Sequence, residues 1–217
     1  MKSSIPDTIV EVVTGIECEC AMIDCMAGNT LVGFRARNRN GVVEWEYGIC
    51  RGKKHGYERY WSPTGRLMFE RRFTNGRQCG YARQWSSAGR ILGAYLMKAG
   101  TGREVWRDER GRILEERYYR DGVRHGRERW WNEDQMSIHI ERYWWRGNLH
   151  GIEREWATDG ALKRGFPKFF INGKRVSKST YLCTQVRRRS LSRYKHTEDS
   201  PVRISTGRSR TKRQELR

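Results

Sequence analysis

Apolar residues are scarce in this sequence. Hydrophobic residues fill 36% of its 217 positions and charged residues 32%, too little aliphatic side chain for a thick two-layer core. No apolar run approaches the roughly 18 residues of a membrane-spanning helix. The opening MKSSIPDTIVEVV has no basic stretch leading into a long apolar one, so no secretory signal is expected. The six cysteines, at 18, 20, 25, 50, 79 and 183, lack the dense spacing of a disulfide framework. A reduced, cytoplasmic chain is the expectation. Catalytic motifs are missing too. GTG at 100–102 does not join a strand to a helix as a phosphate loop does, and no G-x-S-x-G, H-E-x-x-H or paired-acid motif stands in a suitable context. The expected protein is therefore not an enzyme and has no cofactor and no small-molecule substrate.

What is abundant is tryptophan, with nine residues, and positive charge, formally +19. The first suggests a thin fold that relies on aromatic contacts. The second favours anionic partners: RNA, DNA, anionic lipid or an acidic protein.

Glycines reveal a repeat. Gly41, Gly65, Gly89, Gly111 and Gly160 form one series, with Met136 in the fifth of six places. Eleven residues after each of the first five come Gly52, Gly76, Gly100, Gly122 and Gly147. A third series, Gly56, Gly80, Gly102, Gly126 and Gly151, closes each loop. The period is about 24 residues. Between the glycines lie segments with the alternation of strands, such as LMFERRF at 67–73. Asn75-Gly76 and Asp121-Gly122 are hairpin signals, because both residue types tolerate positive φ. Each unit is read as two antiparallel strands and two tight turns. About a dozen strands spaced ~4.8 Å apart predict a sheet some 50–60 Å long, with contacts mainly between neighbouring units. In-register aromatics at 61, 85, 131 and 156, and the set Phe73, Met97, Tyr119 and Trp144, are read as stacked ladders of the scaffold.

The expected fold class is all-β: an elongated single-layer antiparallel β-meander of hairpin repeats, with a short C-terminal helix and a disordered basic tail. Residues 1–40 are assigned to a cap holding a degenerate repeat, over the first exposed edge. Residues 41–176 carry the repeats. Residues 177–217 hold a helix begun by Ser177 or Ser179, then a tail that, from Arg187, has 11 basic and 3 acidic residues.

The loops GKKHG, GVRHG and GNLHG, each followed by a short aromatic strand, resemble MORN-repeat proteins. The fuller pattern is similar to the bacterial MORN variant labelled YwqK-type antitoxins, over roughly Gly41 to Val176. The resemblance implies a MORN-like single-sheet binding scaffold and suggests neutralisation of a partner toxin. It departs from the ordinary unit at Glu58, Glu128 and Glu153, where that unit carries glycine, and at Cys79 and Thr101, which replace the loop histidine. These departures weaken any transfer of the phospholipid binding proposed for some MORN proteins.

Three residue sets are candidate sites. His55, His125 and His150 are open to three readings: turn structure, binding contact or catalysis. Their repeat units are about 10 Å apart, so they are not expected to share a metal ion. Cys18, Cys20 and Cys25 are open to zinc binding but lack a matched second pair. Arg59, Arg83, Arg129 and Arg154 fall three residues after the loop-closing glycines. They are read as scaffold ion pairs with the recurring glutamates, as a protein-binding surface, or as a base-stacking surface. Gly52, Gly56, Gly76, Gly80, Gly122, Gly126, Gly147 and Gly151 are assigned to structural turns. The expected partner is a toxin-like protein or another acidic surface. The alternative is nucleic acid or anionic lipid, bound by the sheet and tail residues 187–217.

Overall fold

The computed structural model describes residues 3, 5–17, 19–134 and 137–202. Cys18, Met136 and the tail from Arg203 lie outside the described residues. The chain forms one open antiparallel meander of seventeen strands, a long series of hairpins. It starts before the repeats, with β1 (Val10–Glu17), β2 (Cys20–Ala27) and β3 (Thr30–Arg37). The repeat region supplies β4 (Val43–Cys50), β5 (Lys53–Trp61), β6 (Leu67–Thr74), β7 (Arg77–Gln78), β8 (Gly80–Trp85) and β9 (Ile91–Lys98). It continues through β10 (Thr101–Arg107), β11 (Ile113–Arg120), β12 (Val123–Trp131) and β13 (Ile138–Trp145). The last strands are β14 (Asn148–Leu149), β15 (Gly151–Glu155), β16 (Lys168–Ile171) and β17 (Lys174–Val176), followed by α1 (Lys178–Arg187).

Both β7 and β8 pair with β6, and both β14 and β15 with β13, so the seventeen strands occupy fifteen rows. At ~4.8 Å per row the sheet measures about 65 Å along its surface. That is longer than the glycines alone predict. The segment expected as a cap contributes three more rows, with Gly28 (φ 57°) closing the β2–β3 hairpin.

Two kinds of turn line the two long borders. On one border, Arg51-Gly52, Asn75-Gly76, Ala99-Gly100, Asp121-Gly122, Arg146-Gly147 and Asn172-Gly173 all have positive φ at both residues, the geometry of a two-residue type I′ hairpin. These turns are also tied to one another. Gly76 donates to the Lys54 carbonyl at 2.8 Å, Gly100 to Gln78 at 2.7 Å and Gly122 to Gly100 at 3.0 Å. On the other border, the side chains of Asn38, Ser62, Ser86 and Asp108 accept from the backbone N–H four residues on. That closes each turn with a local hydrogen bond.

The aromatic series differ from the expected ladders. Phe73, Met97, Tyr119 and Trp144 stand opposite Gly56, Gly80, Gly102 and Gly126. Each covers a residue that has no side chain. Trp61, Trp85 and Trp131 sit where the register shifts against the next strand. The row of rings in contact is another one: Phe34, Trp45, Tyr60, Phe69 and Trp106, of which Trp45 and Tyr60 are stacked and the others meet edge-on or tilted. Its last contact shows that the sheet is not flat. Phe69 on β6 and Trp106 on β10 are three rows apart, about 14 Å on a flat sheet, yet their rings are 4.6 Å apart. Between them Gln84 stands opposite Phe69 and Gly93 opposite Gln84, and Gln84 donates to the Val105 carbonyl of β10 at 2.6 Å. The sheet curls, and the face carrying these rings is the inner one.

Terminal segments cover the ends of the outer face. Ile5, buried with Ile23 and Cys25, lies against Gly33, where a Cβ would stand 2.5 Å from it. At the other end, α1 starts as expected, with Ser177 accepting from the Thr180 N–H at 3.1 Å. Tyr181 and Leu191 join Ile152 and Phe169 in a buried cluster. The expectation of a disordered tail from Arg187 is therefore corrected for residues 188–202. Leu191 is buried, His196–Asp199 form a 3-10 turn, and Val202 bridges to Ser137. Few apolar groups suffice here because they dock onto a surface the sheet has already formed.

Candidate functional site: a charge ladder and its gap

A Glu-Arg dipeptide recurs at 58–59, 70–71, 116–117, 128–129, 141–142 and 153–154. On a strand, neighbouring residues point to opposite faces. Antiparallel pairing then sets each glutamate opposite an arginine on both faces, as in Arg59 with Glu70 and Glu58 with Arg71.

On the outer face, Glu46 lies 3.2 Å from Arg35 and 3.8 Å from Arg59, and Arg59 lies 2.7 Å from Glu70. Further along, Glu116, Arg129, Glu141 and Arg154 are linked at 3.6, 2.7 and 3.2 Å. Arg154 then meets Asp199 of the C-terminal segment at 2.9 Å. On the inner face, Arg71 bonds Glu58 and reaches Glu104 at 3.3 Å, and Arg117 lies 3.6 Å from Glu104 and 3.3 Å from Glu128. Glu58, Glu141 and Arg154 are fully buried. Burial pushes the Glu58 carboxyl up, but Arg71 and Lys54 outweigh it and hold the group below the ordinary carboxylate range.

The ladders break in one place. At the repeat positions of glutamate and arginine, β8 has Ala82, β9 has Ala94 and Tyr95, and β10 has Val105. On the outer face this removes two successive rungs. Arg83 keeps Glu70 on one side at 3.7 Å and faces Ala94 on the other. Its side chain is 45% exposed. Around it lie Arg72, Tyr81, Leu96 and Arg103, all exposed, with Arg103 bonded to Glu116 and lying over the half-buried Tyr118 ring. Among the described residues Arg72 has no ion-pair partner. Among the described residues, the terminal segments pack at the two ends of the sheet.

The four predicted arginines therefore share one face and one row but not one role. Arg59, Arg129 and Arg154 are held between carboxylates. Arg83 alone presents a guanidinium to solvent. Arg72, Arg103 and Tyr81 are not among the candidate site residues that the repeat pattern marks. Their signal was four departures from the Glu-Arg pattern falling in adjacent strands.

The histidines are packed into the turn border. His150 accepts from the Asn172 N–H at 3.0 Å and shares a hydrogen bond with Ser190 at 3.1 Å. His125 lies on the Trp145 ring at 4.4 Å. Burial, then Arg120 and Arg146, lowers its pKa, and burial, then Arg188, lowers that of His150. Both are neutral at pH 7. The Nδ1 atoms of His55 and His125 are buried without a hydrogen-bond partner among the described residues. Among those residues no group of three or more His, Cys, Asp or Glu side chains is placed to hold a metal ion, and no helix is long and apolar enough to cross a membrane. Compared with known proteins, the chain matches no protein-family model, no curated protein and no solved structure.

Proposed function

We propose that this protein is a non-enzymatic, repeat-built binding module that recognises an acidic protein surface through the central window of its outer face. One observation carries the reading: the charge ladder stops at Ala94 and Val105, leaving Arg72 and Arg83 exposed beside Tyr81, with Arg103 exposed at the margin while bonded to Glu116. Along the ladders on either side, Arg59, Arg71, Arg117, Arg129 and Arg154 each lie between two carboxylates. Exposed arginine with tyrosine is the composition of a protein-binding hot spot. The hairpin period and GxxHG loops support grouping the chain with MORN-like repeat proteins. On the same analogy the acidic partner is a toxin, and the cysteine spacing favours a cytoplasmic setting.

The test is affinity capture at moderate salt after nuclease treatment, with wild type, the Arg83→Glu/Arg103→Glu variant and Ala94→Glu. Ala94 is exposed and faces Arg83, so the glutamate restores the missing rung without touching the core. A stoichiometric protein retained by wild type and lost from both variants supports the proposal. Loss of every partner on nuclease treatment moves the window to single-stranded nucleic acid, whose bases stack on exposed tyrosine and arginine.

A further inference from the structure

The two ends of the sheet are finished differently. At the C-terminal end, β17 is three residues long, carries Lys174 and Arg175, and runs into α1, whose Tyr181 packs on Phe169 of β16 at 5.1 Å. Short, basic and helix-covered edges resist strand addition. At the N-terminal end, β1 is eight residues long and every one is exposed. Val10 and Val13 are 63% exposed and Ile16 78%. The strand has no lysine, arginine or proline. It pairs with β2 on one side, and among the described residues nothing pairs with the other.

Charge indicates what fits this edge. Residues 3–27 contain Asp7, Glu11, Glu17, Glu19 and Asp24 but no lysine or arginine. Arg35 and Arg37 each reach Glu11 at 2.8 Å, and Arg39 reaches Glu19 at 2.8 Å. The edge is therefore the near-neutral end of a +19 chain, the place where a second copy meets the least repulsion. An antiparallel pairing about a two-fold axis between Val13 and Thr14 puts the bulge that β1 carries between Val13 and Gly15 at its centre and pairs the residues on either side. It sets Val10 against Glu17 and Glu11 against Ile16 of the second copy, with no carboxylate facing a carboxylate.

We propose that β1 pairs with β1 of a second copy, joining two sheets into one continuous sheet. The interface is isologous, so it closes as a dimer, and the finished C-terminal edges stop further growth. The strongly basic parts of the two copies stay at opposite ends.

Sedimentation velocity of the full chain over a range of concentrations and two salt levels tests this. Wild type should be a dimer whose affinity rises with salt, because screening relieves repulsion between like-charged copies. Val13→Lys/Ile16→Lys should weaken it by about tenfold or more. Ile91→Lys, equally exposed but on the inner row β9, should leave it unchanged. Hydrogen exchange on wild type gives an independent reading if the β1 variant fails to fold: protection should rise with concentration in β1 alone. A wild-type monomer at every concentration, a dimer indifferent to the β1 substitutions, or concentration-dependent protection elsewhere would overturn the proposal.

Discussion

At the scale of single residues, the ladder concentrates risk in a few buried ions. Arg154 neutralises Glu141 and Asp199 at once. Arg154→Met should cost about 3–5 kcal/mol in denaturant unfolding, because it leaves buried carboxylates short of a partner. Arg39→Ala, at an ion pair exposed on both sides, should cost no more than about 1 kcal/mol. Ala99 gives the opposite case. It occupies the left-handed region at φ 48°, where the equivalent turns at 75 and 172 carry asparagine. Ala99→Asn should stabilise by up to about 1 kcal/mol. Protons also act here. The carboxyls of Glu58, Glu11 and Glu155 are held below the ordinary 4.5. Their contribution is complete above that value and is lost as pH falls through the folded-state values. The melting temperature should therefore drop steeply below about pH 4.5 in a thermal scan. On the alkaline side, burial and then Glu58 raise Tyr60 to about 12. The neutral phenol favours the fold, and that contribution fades as pH climbs above 10.

At the scale of elements, the C-terminal segment is a structural part of the sheet. Truncation before Arg203 leaves the Leu191, Tyr194 and Asp199 contacts in place. Truncation before Arg187 removes them and uncovers Trp156, whose indole donates to the Asp199 carbonyl at 2.6 Å. The longer truncation should lower the melting temperature well beyond the shorter one. Polyanion binding is best compared with wild type using the shorter form. This element also shows what a sequence conceals. The turns were legible because positive φ is a local demand that Asn75-Gly76 and Asp121-Gly122 answer by themselves. Strand alternation was legible for the same reason. The docking of residues 188–202 was not, since one leucine and one tyrosine among arginines look like solvent-exposed chain until the surface they fill is known. Nor was the curl, which depends on Arg71 meeting Glu104 and Phe69 meeting Trp106 far along the chain. The window was written as absences, in Ala82, Ala94, Tyr95 and Val105, and matches to a pattern draw the eye more than gaps do.

At the scale of the whole molecule, two associations should respond to salt in opposite directions. Recognition of an acidic partner through Arg72, Arg83 and Arg103 should weaken as salt rises, since its attraction is screened. The β1 pairing should strengthen. Titrations of both at the same two salt levels separate them within one preparation. The ladder has a further consequence for how the chain finds its fold. Glu-Arg set antiparallel to Glu-Arg reads the same whichever two strands supply it, so a newly made strand matches several neighbours in charge almost equally well. Mispairing by a whole hairpin is cheap in such a code, and repeat proteins are prone to this kind of trap. The irregular centre breaks the degeneracy. Tyr95 lies over Ala82 and bonds Glu104 at 3.2 Å, a fit that no other trio of rows reproduces. The same three strands that open the window thus act as a datum mark from which the rows on either side are counted.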